Sequence, residues 1–169
     1  MSSTTSYSAI DYLLDRSNIH DTVTKMMLYV DLLRWDDIEK EVFTDHIRVD
    51  YTSLLGGEVV DVTNKEQVEF WKGIMRRLEK SQHITTSLLI SLPQPGSVPP
   101  PKDVQVTANV AVTLVPKDGE KELVQNGGRY LLELSRIAPS DGGNPWRISS
   151  LKADVIYSAG NKDFYKGKD

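Results

Sequence analysis

The sequence predicts an α+β domain, because apolar residues recur at helical spacing through its first half and at strand spacing through its second. Composition agrees: 39% hydrophobic against 26% charged residues over 169 positions suits one globular domain spanning 1–169 with a sizeable core.

From Ser8 to about Glu41 the pattern is helical, with Ile19, Val23, Met26, Val30 and Leu33 spaced by threes and fours. Its stretch from Met26 to Leu33 is apolar almost all round, which predicts enclosure by the rest of the protein, and Asp31 is its only charge. A short strand is expected at about 46 to 52, where Ile47, Val49 and Tyr51 alternate with Arg48, Asp50 and Thr52. Gly56-Gly57 marks a turn. Thr63 and Glu66 then have the spacing of a capping box, opening a helix through Phe70, Trp71, Ile74 and Leu78 that fades near Lys80.

The remainder reads as antiparallel strands at about 82 to 92, 103 to 116, 121 to 138 and 146 to 157, rich in β-branched residues. The prolines between Pro93 and Lys102 lack amide donors, so this segment is read as a surface loop within the domain. Lys117-Asp-Gly-Glu120 and Ser140-Asp-Gly-Gly-Asn144 are read as hairpin connections, and 158–169 as a loosely held polar tail. Val104, Val106, Val110, Val112 and Leu114 alternate along one strand and are expected on the outer sheet face, where they would join copies of the chain into a homodimer or homotrimer.

Several function classes are disfavoured. A net charge of -4, with no basic run beyond Met75-Arg76-Arg77, offers no footprint for nucleic acid or an anionic membrane. No apolar stretch approaches the roughly 20 residues of a membrane span, and the N-terminus lacks the pattern of a signal peptide, so a cytoplasmic protein is expected. The absence of cysteine excludes disulfides and thiolate chemistry. His20, His46 and His83 show no metal-ligand spacing and no phosphate-binding glycine loop is present, which disfavours metals and cofactors.

Two residues stand out chemically. A carboxylate inside an enclosed helix needs a hydrogen-bonding partner or carries a perturbed pKa, so Asp31 is either a structural tie to Arg34 or a tyrosine, or part of a site. His83 shares a strand face with Ser81, Thr85 and Ser87, opposite Ile84, Leu88 and Ile90, so that its face meets either water or a wet pocket. Among the tyrosines, Tyr29, Tyr51 and Tyr130 are candidates for donating to a substrate carbonyl, with core packing as their alternative role.

Asp31-Leu-Leu-Arg-Trp35, Ile47-Arg-Val-Asp-Tyr51, Gln82-His-Ile84 and Leu151-Lys-Ala-Asp154 resemble, in order and spacing, successive landmarks of the scytalone dehydratases. These belong to the SnoaL-like branch of the NTF2-like superfamily. The resemblance spans about 10 to 157 and implies a cone: a curved antiparallel sheet wrapped by N-terminal helices around one internal pocket. It also implies that His83, supported by Asp31, handles protons and that Tyr51 acts on the substrate carbonyl. Asn109 stands where the family has a second pocket histidine, Val30 where it has a helix tyrosine, and Tyr130 where it has a strand asparagine.

A cofactor-independent lyase or isomerase of dehydratase or cyclase type is therefore expected. Its substrate would be a small hydrophobic polyketide, alkaloid or terpenoid intermediate, with Tyr29, Arg34, Asn109, Tyr130 and Glu133 as candidate substrate contacts. The alternatives are epoxide hydrolysis using Asp31 and Arg34, or a non-catalytic module for hydrophobic-ligand binding or association.

Overall fold

A computed structural model of the chain describes residues 6–96, 99–117, 122–138, 142–161 and 163–166. Parts of the expected surface loop and of both expected hairpin connections, and half of the last eight residues, lie outside these.

The first helix, α1 (Ala9–Asp31), starts at a reciprocal capping box: the Ser8 hydroxyl accepts from the Asp11 N–H, and the Asp11 carboxylate accepts from the Ser8 N–H. It stops at Asp31 instead of running on to Glu41. The Arg34 N–H donates to the Tyr29 carbonyl (2.8 Å) and the Leu33 N–H to the Val30 carbonyl (3.1 Å), a Schellman closure with Leu33 at φ 56. A second short helix, α2 (Trp35–Glu41), follows. The expected enclosure of Met26–Leu33 holds for Met26, Met27, Tyr29 and Val30, whereas Leu28, Leu32 and Leu33 are about half exposed.

Strand β1 (Phe43–Asp50), the single turn α3 (Thr52–Leu55) and β2 (Val60–Thr63) come next. Gly56 and Gly57 both have positive φ in the turn between α3 and β2. Thr63 caps α4 (Asn64–Met75) through the predicted box with Glu66. The four long strands are β3 (Leu78–Ile90), β4 (Asp103–Pro116), β5 (Val124–Arg136) and β6 (Trp146–Gly160).

They form one six-stranded sheet in the order β2-β1-β6-β5-β4-β3. Adjacent strands are antiparallel except β1, which runs parallel to β6, so the sheet is mixed. Irregularities in β3, β5 and β6 interrupt the ladder and curve it locally. In β3, Ser87 at φ 54 sits in such an irregularity and switches the facing. Ser81, His83 and Thr85 look inward before it and Leu88 and Ile90 pack on the core after it, while Ile84 and Leu89 are exposed.

The strand-four apolar set faces the other way from expectation. Val104, Val106 and Leu114 are at most 4% exposed and belong to the core, so they are unavailable for association. The core lies between the inner sheet face and α1, with Ile19, Val23, Met26 and Val30 of the helix against Val106, Leu132, Leu134 and Ile148. A second, smaller cluster joins Leu78, Leu114, Val124 and Phe164, the last from a 3-10 turn at Phe164–Lys166. The tail expected to hang loose therefore docks through Phe164, which is 2% exposed. Among the described residues no helix is long and apolar enough to cross a membrane.

Candidate active site

Asp31 ends α1, where the helix dipole disfavours a carboxylate. Strand β3 offsets this with three donors. The Ser81 hydroxyl donates to Oδ1 (2.6 Å), the His83 amide to Oδ2 (2.7 Å), and His83 Nδ1 stands 2.7 Å from Oδ1. Burial alone would raise the Asp31 pKa, but the hydrogen bonds from His83 and Ser81 and the nearby imidazole outweigh it and hold the carboxyl below its ordinary range. An ionised Asp31 fixes the His83 tautomer with the proton on Nδ1, leaving the Nε2 lone pair uncommitted. Both side chains are mostly buried, 14% exposed for Asp31 and 11% for His83, so solvent screens their contact weakly.

His83 lines a pocket of about 90 Å³ that is partly open to solvent. Its wall is largely apolar, including Met27, Leu54, Phe70, Ile74, Val110 and Val112. Tyr51 enters it from the end of β1. The Tyr51 hydroxyl oxygen accepts from Trp71 Nε1 (2.9 Å) and Gln67 Nε2 (3.0 Å), and its ring stacks on Phe70 at 5.6 Å. No described residue accepts its proton, which remains available to a ligand. Burial pushes this phenol well above its ordinary pKa despite the two donors, so at neutral pH it is a hydrogen-bond donor. Tyr130 lies deeper in the wall, its hydroxyl 3.4 Å from Met27 Sδ and its pKa likewise raised by burial.

His83, Tyr51 and Tyr130 therefore line one pocket, with Asp31 bonded to His83. The other four expected contacts are placed elsewhere. Tyr29 turns toward α2, where its hydroxyl faces Glu41 (3.4 Å) and the Arg34 guanidinium lies 4.3 Å from its ring centre. Arg34 pairs with Asp37 at 2.7 Å; the end of α1 at Asp31 removes it from the helical face that would have aimed it at the pocket. Asn109 and Glu133 are exposed on the outer sheet face, because Ala108, Tyr130 and Leu132 occupy the inward positions of their strands.

Sequence reasoning missed the groups that hold Tyr51. Gln67, 3% exposed, and Trp71 are one helical turn apart on the buried stripe of α4, and an amide on such a stripe is the signal that could have found them. It also missed Asn126 and Tyr165. Asn126 Nδ2 donates to the Tyr165 hydroxyl (3.0 Å), while Asn126 Oδ1 accepts from Ser158 (2.7 Å). Burial pushes the Tyr165 phenol up to about 12, with the Asn126 donor working against the rise. Both residues line the same pocket as His83. Among the described residues no group of three or more histidine, aspartate or glutamate side chains is placed to hold a metal ion.

The family model of the SnoaL-like domain matches residues 11–152. The chain belongs to the SnoaL-like family. Solved structures show that this SnoaL-like chain has the NTF2-like fold expected from its sequence. The Kfla4162 protein from Kribbella flavida superposes with a TM-score of 0.79 at 18% identity, covering 93% of this chain and all of that one. A provisionally assigned scytalone dehydratase from Novosphingobium aromaticivorans gives 0.70 at 10% identity over 88% of each chain. The LinA-type3 hexachlorocyclohexane dehydrochlorinase from Novosphingobium barchaimii gives 0.71 at 16% identity over 90% of this SnoaL-like chain and 94% of that one. No curated protein sequence matches the chain significantly.

Proposed function

We propose that the protein is a cofactor-independent lyase that removes a proton from carbon and expels a neighbouring leaving group, using His83 as the base. The observation that carries this reading is the 2.7 Å contact of His83 Nδ1 with the buried Asp31, on an imidazole that lines an apolar pocket. His83 Nε2 takes the proton, and Asp31 stabilises the imidazolium that forms. Tyr51 donates to the substrate carbonyl as negative charge builds on its oxygen. The C–H electrons become the new double bond as the leaving group departs. When that group is hydroxyl, the imidazolium returns its proton to it and water is released, so atoms and charge balance without a further reactant. The two structural relatives described as a dehydratase and a dehydrochlorinase are named for losses of this kind, which supports elimination over isomerisation or cyclisation.

The proposed substrates are neutral, largely apolar ring compounds of the polyketide, alkaloid or terpenoid kind, since the pocket wall is largely apolar. The epoxide-opening alternative loses its basis, because Arg34 is committed to Asp37 and Tyr29. The convergence of Asp31, His83 and Tyr51 on one pocket favours an enzyme over a passive ligand carrier.

The test is deuterium exchange at the carbon next to the carbonyl of 1-tetralone, a bicyclic ketone, followed by NMR in heavy water. Wild-type protein is expected to accelerate exchange, and His83→Ala and Asp31→Asn to reduce it by about 10²–10⁴-fold while remaining folded. Full exchange activity in both variants would overturn the mechanism.

A further inference from the structure

The chemistry proposed for Asp31, His83 and Tyr51 leaves a second polar group in the pocket without a role. Val112 pairs with His83 on one side and with Asn126 on the other, so His83 and Asn126 lie in one row across the sheet. Two strand spacings put their backbones about 10 Å apart. Asn126 is 7% exposed, and its amide is fixed at both ends, accepting from Ser158 and donating to Tyr165. The Tyr165 hydroxyl thus repeats the arrangement at Tyr51: its oxygen accepts from a buried donor, and no described residue takes its proton. Tyr165 is itself held in place, because the preceding Phe164 is buried in the smaller core cluster with the Arg77 guanidinium 4.3 Å above its ring and bonded to its carbonyl. A buried, preorganised donor facing an apolar space is a recognition element for an oxygen acceptor.

We propose that Asn126 and Tyr165 form a second polar anchor that receives an oxygen of the substrate remote from the reacting carbon. The preferred substrates therefore carry two oxygen functions on an otherwise apolar ring system, one at Tyr51 and one at Tyr165. This deepens the lyase reading, and rests on it for which oxygen is the reacting one.

Binding distinguishes the anchor from the chemistry. The probes are 1-tetralone and 6-hydroxy-1-tetralone, which adds one oxygen at the far side of the rings, titrated against the fluorescence of Trp71 and the other tryptophans. Wild-type protein is expected to bind the dioxygenated probe about tenfold more tightly, the value of one hydrogen bond of about 1.4 kcal/mol. Tyr165→Phe, which keeps the ring volume, abolishes that preference. Ser158→Ala, which frees the Asn126 amide, reduces it partially. Absence of a preference in wild-type protein, including failure of both probes to bind, overturns the anchor, as does a preference that survives Tyr165→Phe. His83→Ala is expected to keep the preference while losing exchange. A Tyr165-dependent preference in a wild-type protein that catalyses no exchange would sink the lyase mechanism and leave the anchor standing.

Discussion

Asp31 is an electrostatic compromise at a single residue: a carboxylate at the wrong end of a helix, retained by three donors from one strand. Its lowered pKa means that the folded state favours the ionised form more than the unfolded chain does. The resulting stabilisation is complete above the ordinary carboxylate value of 3.8 and is lost as pH falls through the lower folded value. Thermal melts of wild type and Asp31→Asn are therefore expected to differ most near neutrality, by about 2 kcal/mol, and to converge in acid. A gap that stays constant down to strongly acidic pH would contradict this. Thr85, two residues along β3 from His83, shows the opposite balance. Its hydroxyl oxygen is buried and meets no hydrogen-bond partner among the described residues, so its desolvation is not offset by the protein there. Thr85→Val keeps the shape and removes the hydroxyl, and a gain of about 1 kcal/mol in urea denaturation is expected. A loss of stability would show that this hydroxyl is satisfied in solution.

Among the elements, the break after Asp31 was illegible because its usual signal is missing. Schellman closures favour glycine at the left-handed position, and this one uses Leu33, so the apolar periodicity ran on unpunctuated through Arg34. That one miss put Arg34 in the wrong place. The strand-four valines have another cause: alternation gives two faces without saying which is inner, and Val104 and Val106 were assigned to the outer one, whereas Asn109 was placed inward by the family resemblance. Asp31 and His83 were each legible because each broke its local pattern in chemistry, but only the family resemblance joined them as a pair. Gln67 and Asn126 are neutral amides, whose roles depend on contacts across 16 and 39 positions of chain. The left-handed leucine also carries a prediction: Leu33→Gly removes steric strain at an exposed position and is expected to stabilise the protein by about 1 kcal/mol. Unchanged or lower stability on denaturation would refute the strain.

At the scale of the whole molecule, the chain closes on itself at the pocket. Residues from α1, α3, α4, β3, β4, β5, β6 and the C-terminal 3-10 turn all reach one cavity, and the last of these is tied down by a cluster separate from the main core. Local cohesion of that kind opens at lower free energy than the sheet it rests on. Phe164 is the group that holds it, 2% exposed against Leu78, Leu114 and Val124, with Arg77 over its ring. Phe164→Ala is expected to remove about 3 kcal/mol from the attachment of the tail. Because the Asp31–His83 contact is made between α1 and β3, outside that cluster, ketone exchange should persist. Limited proteolysis should then cut the variant beyond Gly160 while the rest of the chain stays resistant, and the preference for a second substrate oxygen should fall with it, since Tyr165 follows Phe164 directly. Tyr165→Phe is expected to lose the same preference with the tail still protected. If Phe164→Ala leaves the tail as resistant as in wild type, the 3-10 turn is held by something other than its ring, and closure of the pocket at that end has to be explained from the sheet instead.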